Sequence, residues 1–159
     1  MTVQFGYDKK QVVQGLRYHF LNRREIKILL ILVNVFAIVS AGLFYFKLLQ
    51  PLAFLLFSTL WFILMLTIWR ILPASIYRRS ATFKDKFIMH LDSDQIVLET
   101  ERGNQAWPWT RFSSFIESPY FFHLYFNPRT FFLLPKEAFL NITDLQEIRN
   151  LLREKIGKA

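Results

Sequence analysis

The chain has 159 residues, no cysteine and a formal charge of +8. The missing cysteine excludes a disulfide scaffold, a cysteine zinc site, an iron–sulfur site and a thiol nucleophile. A hydrophobic content of 53%, with five Gly and six Pro, excludes a disordered or low-complexity chain.

The charge is unevenly placed. Residues 1–79 hold ten cations and two anions (10 − 2 = +8), whereas residues 80–159 hold ten of each. A nucleic-acid surface carries its positive field on the folded domain, so nucleic acid is not an expected partner. Residues 1–27 form a basic leader. Within it residues 8–24 read as an amphipathic surface helix: Asp8 suits an N-cap, and Val12, Val13, Leu16, Phe20 and Leu21 share one stripe. Its apolar face suits either the headgroup plane or the C-terminal domain.

Residues 28–72 read as a two-helix transmembrane hairpin. Ile28–Phe46 is 19 residues without a formal charge, and Leu48–Trp69 is 22, against the roughly 20 that a span requires. Nine of the ten cations lie outside the two runs and only Lys47 lies between them. The positive-inside rule then places both termini in the cytoplasm, and the expected location is the cell (inner) membrane. Asn34, Ser40, Ser58 and Thr59 are the expected hairpin-packing residues, because small and hydroxyl side chains let helices approach in lipid. Neither span holds Asp, Glu, Arg or His, so a transporter pathway is disfavoured. Pro73 is expected to end or kink the second helix, and residues 73–83 to form a linker.

Residues 84–159 change to a period of two. Strands are predicted at Phe87–Leu91, Gln95–Thr100, Gln105–Trp109, Phe112–Glu117, Tyr120–Phe126 and Phe131–Leu134. Gly103-Asn104 reads as a two-residue hairpin turn. Thr143, with Gln146 three residues on, is the predicted cap of a final helix. On that helix Ile142, Leu145, Ile148, Leu151, Leu152 and Ile156 share a face. The fold class is therefore α+β: a helical hairpin, then a small antiparallel domain closed by a C-terminal helix. Tyr120, Phe122, Leu124 and Phe126 face one way and Phe121, His123 and Tyr125 the other. One set belongs to the core. The other is available to the membrane, the leader helix or a partner.

The run Trp109-x-x-Phe112-x-x-Phe115-x-Glu117, then Phe122-x-Leu124-Tyr125, then Phe132-x-Leu134-Pro135-Lys136-x-x-Phe139 resembles the C-terminal domain of YcxB-like proteins. The order of basic segment, tight hairpin and domain is similar too. The resemblance implies a bacterial membrane protein with a cytoplasmic domain like pleckstrin-homology (PH) domains, and it implies no reaction. Pro108 departs from the pattern and should confine its strand to an edge or a bulge.

Chemical motifs are sparse. His19, His90 and His123 have no metal-ligand spacing, and no phosphate loop or nucleophile motif is present. No cofactor and no enzymatic activity are expected. The candidate binding surface comprises Trp107, Trp109, Tyr125 and Lys136, the last being able to meet an anionic headgroup or a partner carboxylate. The expected function is a membrane-anchored binding or scaffold module that engages a protein or peptide partner or its own copies, with the lipid bilayer as its other partner. The alternatives are a membrane protein conferring tolerance to membrane-active peptides, and an accessory subunit of a transporter or enzyme.

Overall fold

The computed structural model describes residues 1–156. Two compact units divide the chain: Met1–Gly15 together with the chain from Ser80 onward, and Leu16–Arg79. The first is an α+β sandwich. Strand β1 (Thr2–Phe5) starts the chain, and β2 (Phe87–Leu91), β3 (Gln95–Thr100) and β4 (Gly103–Pro108) follow after residue 80. They form one antiparallel sheet in the order β1-β2-β3-β4. Strands β5 (Ser114–Glu117), β6 (Phe121–Asn127) and β7 (Thr130–Pro135) form a second sheet in chain order.

The leader thus supplies a strand that the local sequence pattern does not announce. Thr2-Val3-Gln4-Phe5 alternates, burying Val3 and Phe5 and exposing its polar pair, and Val3 lies opposite Met89 and Phe5 opposite Phe87. The core lies between the sheets. Phe87, Met89, Ile96 and Leu98 meet Phe115, Phe122, Leu124 and Leu134, and Ile148 and Leu152 of the C-terminal helix close it. That helix, α5, runs Ile142–Lys155 with Asn141 at its N-cap position. Thr143 is therefore inside the first turn and is not the cap.

Helix α1 (Lys9–Asn22) begins in this unit and ends in the other. Asp8 caps it as expected, its Oδ1 accepting from the Gln11 N–H at 3.0 Å. Val12 is fully buried, and a Cβ on Gly15 would stand 2.9 Å from the Phe121 ring. The first half of the leader helix therefore packs on the outer face of the second sheet. Tyr7 holds the approach, its hydroxyl donating to the Leu133 carbonyl at 2.6 Å. This resolves which partner the Phe121 position takes, since both faces of β6 are buried.

In the second unit, α2 (Arg24–Tyr45) and α3 (Pro51–Leu66) form an antiparallel pair. Stacked rings of Phe44 and Phe54 (4.4 Å) and an edge contact of Phe36 with Phe57 (5.3 Å) join them. The turn is a Schellman stop, in which Leu48 N–H bonds Leu43 O and Lys47 N–H bonds Phe44 O. Lys47 takes the left-handed conformation there, at φ +58°.

Pro73 does not end the second helix. A π-helical turn over Thr67–Ile71 carries it into α4 (Leu72–Arg79), so the first seven residues of the expected linker are helical. The reason is visible in the hydrogen bonds. Trp69 O would accept from residue 73, but proline has no N–H and its ring crowds that carbonyl. Arg17 takes the vacancy: its Nε–H donates to Trp69 O at 3.0 Å, and its guanidinium lies 5.3 Å from the centre of the Trp69 ring. Arg17→Ala should therefore cost about 1–2 kcal/mol. In a Pro73→Ala background the cost should shrink, because an alanine at that position supplies the missing donor. A double-mutant cycle of thermal unfolding in detergent checks this, and equal costs in both backgrounds would contradict it.

Candidate functional site

The structure draws most of the expected binding surface inward. Trp109 is buried, and its indole N–H donates to Asp92 O at 2.9 Å. Tyr125 is buried as well. Trp107 is half-buried and packs its ring against Phe112, Phe126 and Phe132. Tyr125 packs beside His123 and Phe131 on the outer face of β6, whereas Trp107 and Trp109 belong to the core between the sheets. Two short sheets have few residues with which to fill the space between them, and large rings fill it.

Lys136 meets a carboxylate of its own chain. Its Nζ lies 2.8 Å from Glu117 Oε1 and 5.4 Å from the centre of the Phe122 ring. Arg149 of α5 completes the group. Its Nη2 and Nε reach the two Glu117 oxygens at 2.7 and 3.0 Å, and its Nη1 donates to Gln146 at 2.6 Å. One carboxylate on β5 thus joins the turn after β7 to the closing helix. The hydrogen bond from Arg149 is the largest cause that lowers the Glu117 carboxyl from 4.5 to about 2; partial burial opposes it, and Lys136 adds to it. Glu117 and Lys136 are legible in the sequence motif, but Arg149 is not, because 32 residues separate it from Glu117.

In the hairpin, Ser40 is buried, and it lines a groove of about 770 Å³ with Ser58, Ala37, Phe57 and Trp61. Asn34 and Thr59 do not bridge the helices. Asn34 donates to Leu30 O at 2.7 Å and Thr59 to Leu55 O at 2.8 Å, each within its own helix. A carbonyl four residues back is always in reach, whereas a partner across the groove is not.

Among the described residues no group of three His, Cys, Asp or Glu side chains is placed to hold a metal. Strands β1, β4, β5 and β7 lie at the edges of the two sheets. Among the described residues β4 pairs only with β3, and Pro108 lies on that edge as expected. The hairpin turn is Glu101-Arg102, because Thr100 pairs with Gly103. Gly103-Asn104 is therefore the start of β4, and the turn lies two residues earlier than predicted. Gly103 has φ +134°, a conformation that side chains disfavour.

A two-sheet antiparallel sandwich with a closing helix, on a chain that also carries two long apolar helices, defines the class of protein. Residues 91–152, from the end of β2 into α5, match the YcxB-like protein family. Comparison with curated proteins and with solved structures gives no match.

Proposed function

We propose that the protein is a membrane-anchored binding module: the hairpin is inserted in a bilayer and tethers the sandwich at the cytoplasmic face, where it engages a protein partner or a second copy. One observation carries the anchor. The apolar windows of Arg24–Tyr45 and Pro51–Arg79 are each only 6% buried. Core helices of a soluble protein would be mostly covered. Here Ile38 and Leu52 are 72% and 66% exposed, within an apolar surface far larger than water-facing proteins leave open. Twenty-two residues of helix extend about 33 Å, enough for a hydrocarbon core of about 30 Å.

Charge supports the orientation. The unit Leu16–Arg79 contains eight cations and one anion (8 − 1 = +7), and only Lys47 lies at the turn between the spans. Among the described residues, seven strands in sheets of four and three, with a helix closing the sandwich, support a PH-like reading of the domain. Its lack of net charge over residues 80–159 disfavours capture of polyanionic headgroups. The proposed role is binding and not catalysis.

Alkaline extraction of membranes from cells expressing the full chain tests the anchor. The chain is expected to remain in the pellet. Its release together with peripheral proteins would refute insertion.

A further inference from the structure

We propose that the base of the hairpin is a headgroup site for anionic phospholipid, built from the guanidinium groups of Arg17, Arg24 and Arg70; in this the inference rests on the proposed anchor. Helix geometry brings the three to one level. The rings of Phe36 and Phe57 meet across the antiparallel pair. Arg24 lies twelve residues before Phe36, and Arg70 thirteen after Phe57. In antiparallel helices these steps run the same way, about 18 and 20 Å from the contact. Arg17 joins them from α1, because its guanidinium lies 5.3 Å from the centre of the ring of Trp69, the neighbour of Arg70.

These charges are open to a ligand. The other cations nearby are engaged: Arg23 has Glu25 at 3.7 Å, and Lys27 donates to Asn22 Oδ1 at 3.0 Å. Glu25 is the single anion within Leu16–Arg79. Arg24 and Arg70 are exposed, and neither forms an ion pair among the described residues. Arg17 uses its Nε–H on Trp69 O, and among the described residues its two Nη groups have no acceptor. A guanidinium fork matches two oxygens of a phosphodiester at once, which an ammonium does not. A net negative headgroup fits better than a zwitterionic one, whose own ammonium would face like charges.

The level favours a lipid over an acidic protein as the occupant. Arg70 stands twenty residues beyond Gln50, which precedes α3. That is about 30 Å of helix, the thickness of a hydrocarbon core. Phosphodiester groups lie at that boundary, and exposed Trp69 suits it as interfacial tryptophans do. An acidic peptide would have to enter the headgroup layer to reach the same groups.

The full chain is placed in vesicles of equal phosphatidylglycerol and phosphatidylcholine with the same acyl chains, then released into mild detergent, and the retained lipids are counted by native mass spectrometry. Phosphatidylglycerol is expected in roughly tenfold excess. Arg24→Gln and Arg70→Gln should each lower that excess several-fold. Arg78→Gln combined with Arg79→Gln should leave it unchanged, because these residues lie about 12 Å further along the helix, beyond the screening length of about 8 Å. Lys47→Asn, at the opposite end of the hairpin, should leave it unchanged too. Equal retention of the two lipids, an excess that survives both Arg24→Gln and Arg70→Gln, or an equal loss in either of the two controls would overturn the proposal. Insertion is read separately, in vesicles of phosphatidylcholine alone. A chain that does not enter them refutes the anchor and the site with it, whereas a chain that enters them but shows no anionic preference in the mixed vesicles overturns the headgroup site alone.

Discussion

Glu117→Ala is expected to destabilise the sandwich by about 2 kcal/mol, the larger part from leaving Lys136 and Arg149 without their shared acceptor. The side chains of all three are 28% exposed or less. A carboxyl lowered from 4.5 to about 2 corresponds to an upper bound of roughly 3 kcal/mol, which partial solvation reduces. The sign is set by the direction of the shift. Folding favours the ionised carboxylate, so the contribution is complete above pH 4.5 and is lost as pH falls toward 2. His19 adds a loss in a higher window. Burial first, and then Arg23, lower it from 6.5 to about 4, so folding favours the neutral ring, and stability falls as pH drops from 6.5 to 4. Glu117→Gln should flatten the lower window and leave the upper one. Chemical unfolding of the full chain in detergent, followed by near-ultraviolet circular dichroism from pH 8 to 2.5, checks both. An unchanged profile below pH 4.5 in Glu117→Gln would contradict the role given to the triad.

Gly15→Leu should be at least as costly, about 2–3 kcal/mol, although it replaces a poor helix former with a good one. Propensity alone predicts a gain of nearly 1 kcal/mol. The geometry reverses the sign. The first added carbon would stand 2.9 and 3.2 Å from two atoms of the Phe121 ring, with a Leu133 methyl at 3.7 Å. Phe121 is 1% exposed and Leu133 is 2%, so neither has room to retreat. Gly15→Ala should show the same sign at about half the size. Pairing Gly15→Leu with Phe121→Leu should recover part of the loss. Melting temperatures of the three variants decide the matter, and a neutral or stabilised Gly15→Leu would show that the first half of α1 does not lie on β6.

Much of the sandwich is legible in the sequence because its strands alternate cleanly and its turns carry Asp, Asn, Gly and Pro. Pro108 even marks its strand as an edge. Two failures have one physical origin. Thr2–Phe5 is too short for a period to stand out, and it pairs with a strand more than 80 residues away; local pattern carries no signal of such a partner. The leader helix shows an apolar stripe but not what covers it, and Gly15 looks like a weak helix position when it is a close-approach point. The Gly103-Asn104 dipeptide misplaces the turn because dipeptide chemistry competes with register. The Thr100 hydroxyl, which bonds the Arg102 N–H and the Gly103 carbonyl, fixes the turn at 101–102.

The candidate surface fails for another reason. Trp107, Trp109 and Tyr125 stand out as aromatics, and aromatics mark both interfaces and cores. Only the three-dimensional placement separates the two. Lys136 stands out as a charge in a family-like motif, and the carboxylate that it meets, Glu117, is in the same motif. Pro73 suggests its usual effect on a helix. The π turn and Arg17 rescue the freed carbonyl, a solution that depends on a residue 52 positions earlier.

Labelling from outside intact cells bears most directly on the proposed membrane hairpin. With Lys47→Cys and Ser93→Cys made separately in this cysteine-free chain, a membrane-impermeant maleimide should modify position 47 in intact cells and position 93 only after permeabilisation. Modification of Ser93→Cys in intact cells, or of neither site until lysis, would contradict a hairpin that crosses the membrane with its sandwich inside.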